Sequence, residues 1–224
     1  EMQRRFVKVI GQVNTIIDNY APKEFKGKWN VAVQDDSVAF GSGYNNWAVS
    51  VGSMKKTNIN FKDVYDYCKN EDQKTLAKKT PLHSVVFDMA IKHLPSPLQS
   101  QPYRIPSVWS GDLDSVEGKG MLACDSNAPF SMMVTDVVID PHAGDVATGR
   151  VYSGTARKGT ELKIIGSNHM SKVQQVALFM SGDRVIIDDG CAGNIISLIG
   201  LKEVYAGQTI ATADIAEFEN FMSK

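Results

Sequence analysis

MMVTDVVIDPHAGDVATGRVYSGTARKGTELKII, residues 132–165, decides the fold of the second half of this chain. Its apolar and β-branched runs, Met132 to Ile139, Val146 to Tyr152 and Glu161 to Ile165, are cut by Pro141-His142-Ala143-Gly144 and Lys158-Gly159. Short runs bounded by proline and glycine turns read as strands. The texture continues through Val173 to Met180 and Ile195 to Leu201, with turns at Ser181-Gly182-Asp183 and Ala206-Gly207. No helical period appears until the last ten residues. Regular short strands with glycine turns predict a closed β-barrel or sandwich.

Upstream the pattern is different. Phe6, Val9, Ile10, Val13, Ile16 and Ile17 recur every three or four residues, which predicts an amphipathic helix ended by Tyr20-Ala21-Pro22. Asn60, with Asp63 three residues on, predicts a second helix that turns Phe61, Val64, Tyr65 and Cys68 inward. Thr80-Pro81 predicts a third, faced by Leu82, Val85, Val86 and Met89 and stopped at Leu94-Pro95. Between the first two, Val31-Ala32-Val33 and Val38-Ala39-Phe40 flank Gln34-Asp35-Asp36-Ser37 and read as a hairpin. Adjacent Asp35 and Asp36 in a turn point apart, so a solvated loop is expected there rather than a catalytic pair. From Leu94 to Gly120 the chain is rich in Pro, Ser and Gly, which predicts a connector and not a helix. The helices have no obvious central sheet to cover, so the chain is expected to begin partway through a larger α/β domain.

The 224 residues carry a formal net charge of -1, which argues against coating nucleic acid by bulk electrostatics but leaves room for local basic patches. A 43% hydrophobic and 22% charged composition is that of a globular protein with an ordinary core. No apolar run approaches the roughly 20 residues of a membrane helix, and no signal-peptide segment follows Glu1-Met2-Gln3-Arg4-Arg5. Cys68, Cys124 and Cys191 are far apart in sequence and read as reduced thiols; His83, His93, His142 and His169 are equally scattered, so no metal site is expected. Trp47 and Trp109 are expected to pack locally. No GxxxxGK[ST], GxSxG or HExxH motif occurs. Lys69-Asn70-Glu71-Asp72 has the wrong order for a guanine-reading asparagine–aspartate motif and is set aside. Ser37 to Tyr44 carries a strand into a Gly-Ser-Gly turn, where free backbone N–H groups can donate to a ligand oxygen.

Several segments, in order, resemble the elongation factor G/elongation factor 2 family in its archaeal form. SVAFGSGYNNWAV (37–49) resembles the stretch with the last guanine-recognition motif, and His93-Leu94-Pro95-Ser96-Pro97 the exit from the GTP-binding domain. QPYRIPSVWSGD (101–112) resembles the linker, and AGDVATGRVYSG (143–154) the signature of domain II. Ala192-Gly193-Asn194-Ile195, Gly200-Leu201 and Ala206-Gly207 resemble the closing strands of that barrel. The helix from Met2 to Asn19 resembles the one after the family's asparagine–lysine–aspartate motif.

The resemblance implies an α+β multidomain chain. Residues 1–97 would be the C-terminal part of an α/β P-loop-type G domain, 98–118 a linker, and 119–224 the all-β domain II barrel. Of five nucleotide motifs it places only the last here, at Gly41, Ser42, Gly43 and Tyr44, with the Gly43 N–H meeting the guanine O6. Family members often have alanine at Gly43; a backbone contact tolerates the difference. The phosphate loop, both switches and the asparagine–lysine–aspartate motif would lie upstream of Glu1, and later domains downstream of Lys224. GTP and magnesium are implied for the intact protein, and none for this chain alone. Also implied are translocation on the ribosome, docking of domain II on small-subunit ribosomal RNA, a monomeric state and a cytoplasmic location with no membrane partner. Among the basic residues Arg150, Arg157, Lys158, Lys163, Lys172 and Arg184, the pair Arg157 and Lys158 at a Lys-Gly turn is the best RNA candidate. Two other readings stand beside this one. A ribosome- or RNA-binding module without nucleotide chemistry is disfavoured by the amphipathic helix at Met2–Asn19. A related GTPase of initiation or release is disfavoured by the linker at Tyr103–Asp112.

Overall fold

Helix α1 (Met2–Tyr20) stops where Ala21 N–H bonds the Ile17 carbonyl and Pro22 follows. Its apolar face divides. Phe6, Ile10 and Ile17 are half-buried, Phe6 stacking 4.5 Å from the Phe40 ring, while Val9, Val13 and Ile16 are exposed. The computed structural model describes residues 2–140, 144–167 and 169–219, with no account of the side chains of residues 2 and 3. It separates into two units, Glu1–Leu94 and Pro95–Lys224.

The hairpin expected at 31–40 does not form. Asn14 reaches from α1 to accept from the Val31 N–H at 2.8 Å and donate to the Val31 carbonyl at 3.0 Å. The Ser37 hydroxyl likewise serves both backbone groups of Ala32. Side chains thus take the places a strand ladder would fill, and the segment stays irregular. The ladder begins later, between β1 (Phe40–Ser42) and β2 (Trp47–Val49), paired Phe40 with Val49 and Ser42 with Trp47.

Helix α2 (Val51–Thr57) opens on a Ser50–Ser53 capping box, and α3 (Phe61–Lys69) on one between Asn60 and Asp63, the pair expected to start it. Val64 is buried on α3 and Cys68 half-buried, but Phe61 and Tyr65 are exposed. Asp72 caps α4 (Gln73–Lys79), so the aspartate of the set-aside motif has a structural role. Thr80 ends α4 instead of starting the next helix: its N–H and hydroxyl both bond the Leu76 carbonyl, and α5 (Leu82–His93) follows with Pro81 outside it. Val85 is its buried residue, Leu82 and Met89 are half-buried, and Val86 is exposed. Trp47, Val49, Ile59, Val64 and Leu76 form the core of this unit.

The expected connector is helical. Helix α6 (Pro97–Val108) begins with proline at its first position behind a Ser96–Gln99 capping box. Pro102 and Pro106 lie exposed, four residues apart, where the carbonyls they leave without amide partners can bond water. On the adjoining stripe Gln101 and Ile105 are buried, as is Trp109 at the end of the helix. Packing of that stripe outweighs the proline penalty, which composition alone does not show. In helix α7 (Val116–Ala123) Gly120 packs on the segment that follows the helix, where a Cβ would lie 2.4 Å from the Ala128 Cβ. Gln101 Nε2 donates to the carbonyls of Met121 on α7 and Tyr152.

The remainder is β. Strands β3 (Ser131–Asp140), β4 (Gly144–Ser153), β6 (Glu161–Ile164), β7 (Met170–Lys172), β8 (Gln175–Met180), β9 (Asp183–Ile187), β11 (Ile195–Ile199) and β12 (Thr209–Ala211) form one antiparallel sheet. Its order is β7-β6-β12-β3-β4-β11-β8-β9, and β5 (Thr155–Arg157) pairs with β10 (Asp189–Cys191) as a ribbon. The sheet curls shut where Val173 N–H bonds the Thr160 carbonyl beside β6 and Gln174 N–H bonds Ile199 of β11, each at 2.9 Å. Met132, Val134, Leu162, Ile164, Val176, Ile196, Leu198 and Ile210 fill the interior. The five patterned runs coincide with β3, β4, β6, β8 and β11, while the ribbon strands and β7, β9 and β12 carry no legible alternation. The turn expected at Pro141–Gly144 lies outside the described residues except for Gly144, as does His142. Of the helical period expected in the last ten residues, 215–219 are irregular and 220–224 lie outside the described residues.

Replacing fully buried Ile105 by alanine should cost about 2–5 kcal/mol in urea unfolding. Pro102→Ala, on the exposed stripe, should raise stability by roughly 1 kcal/mol or more.

Candidate functional site

Among the described residues the β1–β2 ladder is extended by backbone bonds along the edge of β2 only. Ala48 N–H bonds the Thr80 carbonyl at 3.1 Å, and Leu82 N–H bonds the Asn46 carbonyl at 3.0 Å, so the 80–82 segment covers the outer edge of β2. Because Ala48 N–H turns outward, Gly41 and Ala48 are a pair that exchanges no bonds, and the Gly41 N–H and C=O face the open edge of β1. A Cβ on Gly41 would lie 2.5 Å from the Trp47 carbonyl oxygen, so no side chain fits.

At the tip, Asn46 N–H bonds the Gly43 carbonyl at 3.3 Å and Asn46 takes φ 57°. The Ser42 hydroxyl accepts from the Asn45 backbone and side-chain N–H groups at 3.2 and 3.1 Å, which orders the turn and leaves Ser42 facing inward to its own loop. Gly43 stands in open space, and among the described residues nothing accepts from its N–H. Tyr44 is 95% exposed. The loop therefore presents a free amide and an aromatic ring, a fit for a planar ligand with a carbonyl oxygen. Among the described residues no basic side chain of this hairpin offers a phosphate contact, and no group of three or more His, Cys, Asp or Glu is placed to hold a metal ion.

Trp47 is buried, its indole N–H donating to Gln73 Oε1 at 2.8 Å, and Trp109 is buried with its N–H on the Ala216 carbonyl. Both rings pack within their own units.

Asp35 and Asp36, ahead of the hairpin, act on backbone rather than on each other. Asp35 accepts from the Ser37 N–H and hydroxyl at 2.8 and 2.6 Å. Asp36, at φ 68°, accepts from the Gly52 N–H at the start of α2 and pairs with Lys92 of α5 at 3.0 Å. Lys92 also donates to the Asp35 carbonyl at 2.6 Å. The expectation of a merely solvated loop is thus corrected: one carboxylate ties three elements together. The Gly52 N–H, opposed by burial and helped by Lys92, holds the Asp36 carboxyl below its usual pKa. The Ser37 hydroxyl does the same for Asp35.

On the barrel, Arg157 ends β5 and Lys158 sits in the turn that follows. Their side chains have different surroundings. Arg157 lies 3.5 Å from Asp189 across the ribbon, both exposed. Lys158 instead lines a groove of about 770 Å³ over the closure seam, with Lys172, Gln174, Gln175 and Arg184 and with Ile199 in its floor. Arg184 is bonded to Asp140 at 2.9 Å, whereas neither Lys158 nor Lys172 has an acidic partner among the described residues. Lys172 and Arg184 gain their place through barrel closure, which no local spacing announces.

Residues 129–213 match the family profile described as Elongation factor G domain 2, so the β unit is a translation-factor barrel. Over 220 residues, 98% of this chain and 30% of the relative, the sequence is 54% identical to elongation factor 2 of Picrophilus torridus. It is 51% identical over 219 residues to that of Thermococcus kodakarensis and 50% identical over 222 residues to that of Methanosphaera stadtmanae, with the same two coverages. The chain belongs to the elongation factor 2 family and spans about 30% of the length of these curated relatives.

Asp36→Ala should destabilise the first unit by about 1–3 kcal/mol at neutral pH. Since the folded carboxyl titrates below its unfolded value, the contribution is present above about pH 4 and lost as pH falls through the folded pKa. The gap between wild type and variant in urea titrations should close in acid.

Proposed function

We propose that this chain is an internal part of a ribosomal translocase that couples GTP hydrolysis to movement of tRNA and messenger RNA in the cytoplasm. The observation that carries this reading is identity near 50% along 98% of the chain to elongation factor 2 proteins, through both units rather than the barrel alone. Residues 1–97 then belong to the GTP-binding domain, 98–118 link it to domain II, and 119–224 are that domain. The protein works as a monomer.

In the whole protein, bound GTP with magnesium supplies the phosphate-bond cleavage and the switch ordering that it releases. This chain's part is narrower. The segment Gly41, Ser42, Gly43 and Tyr44, running from β1 into the turn, offers the Gly43 N–H to the guanine O6, and the Ser42–Asn45 contacts hold that donor in place. No residue is assigned to magnesium. The barrel docks on small-subunit ribosomal RNA through phosphate contacts made by Arg157 and Lys158, with Lys172 and Arg184 in the adjoining groove.

A chimera in which this chain replaces the matching segment of the Thermococcus kodakarensis protein should support GTP-dependent translocation on archaeal ribosomes. A chimera that folds, binds GTP and leaves ribosomes untranslocated would overturn the reading. The chain alone should hydrolyse no GTP and give no calorimetric sign of micromolar GDP binding, because the Gly43 amide comes without phosphate contacts. In the active chimera, replacing Arg157 and Lys158 by alanine should weaken ribosome association and lower its salt slope by about one to two.

A further inference from the structure

Two half-buried cysteines, 67 positions apart in sequence, meet at one turn of the second unit. Cys124 ends α7 in the left-handed conformation, φ 52°, and its Sγ would lie 3.1 Å from a Cβ placed on Gly193. Gly193, at φ 86°, belongs to the turn Cys191–Asn194, closed by the Asn194 N–H on the Cys191 carbonyl at 3.3 Å. The Asn194 side-chain amide also donates to Cys191 Sγ at 3.2 Å. Cys124 Sγ therefore borders, at Gly193, the turn that Cys191 opens, and Gly193 has no side chain there.

The turn is anchored to the elements that carry the cysteines. Gly193 N–H bonds the Val151 carbonyl and Ala192 N–H the Gly154 carbonyl, each at 2.9 Å. Gly154 N–H in turn bonds the carbonyl of Asp125, the neighbour of Cys124, at 2.8 Å. Pro97, the first residue of α6, lies against the same glycine, its Cβ 3.0 Å from the position a Gly193 Cβ would take. Helix starts, helix ends and barrel strands converge here, so a covalent link would restrain all of them. Burial raises the Cys124 thiol pKa; Arg150 opposes that rise and the nearby Cys191 sulfur adds to it.

We propose that Cys124 and Cys191 form a reversible redox pair, in which a disulfide oxidant of the oxidised-glutathione class joins them and pins the end of α7 to the β10–β11 turn. Cys191 attacks first, as a thiolate supported by the Asn194 amide; one glutathione leaves as its thiol and a mixed disulfide remains. Cys124 then attacks the Cys191 sulfur and expels the second glutathione. In sum two protein thiols lose two electrons and two protons, one protein S–S bond forms, and one glutathione S–S bond is reduced to two thiols. Cys68 belongs to the first unit and takes no part.

The test treats the whole chain with oxidised glutathione, followed by non-reducing peptide mapping and thermal unfolding. Expected are a peptide pair joined through Cys124 and Cys191, a melting temperature raised by about 5 °C, and full reversal by dithiothreitol. Cys68→Ser should leave the link intact, and Cys191→Ser should abolish it without lowering the melting temperature of the reduced chain by more than about 3 °C. A link involving Cys68, or glutathione adducts alone at Cys124 and Cys191, would overturn the proposal.

Discussion

The barrel depends on two residues that bond in opposite directions. Val173 donates to Thr160 next to β6, and Gln174 donates to Ile199 of β11, so the chain joins strands from separate parts of the sheet order. An open sheet of these short strands would expose Leu162, Ile164 and Val176 on one face; closure buries each of them to 1% exposure or less. The same closure brings Lys158 and Lys172 to one groove and lets Arg184 reach it from β9. A hydrophobic requirement thereby sets the placement of a polar surface.

The first unit solves a different problem. It has little sheet, and side chains supply bonds that a sheet would otherwise make. Asn14 serves Val31, Ser37 serves Ala32, and Asp36 serves Gly52. The first two satisfy backbone groups of irregular residues, and the third satisfies an amide in the first turn of α2. The ordering of these loops fixes the entry to β1, and β2 is fixed by the 80–82 segment, so the Gly43 tip projects from a held base. The Ser42–Asn45 contacts order the tip and leave the Gly43 amide free among the described residues.

Much of this was legible from local chemistry. The Asn60–Asp63 cap and the five long runs of the barrel are written in adjacent residues, whereas Gly41 and Ser42, which read as a turn, extend β1 and the turn runs from Gly43 to Asn46. The other misread segments share one cause. Pro97, Pro102 and Pro106 looked like breakers because their cost is local, while the gain from burying Gln101, Ile105 and Trp109 comes from partners up to 109 positions further on, Phe218 among them. Thr80 looked like the start of α5 because it precedes proline, yet its hydroxyl and N–H turn back to Leu76.

Sequence by itself determined the class of each half and the family, because periodicity, turn chemistry and motif order act between neighbours. Tertiary structure decided which edge of the hairpin is open, which lysines share a groove and which cysteines share a turn. Those are contacts between segments distant along the chain: the 80–82 segment sets the first, and the packing of a closed barrel and its two helices sets the other two.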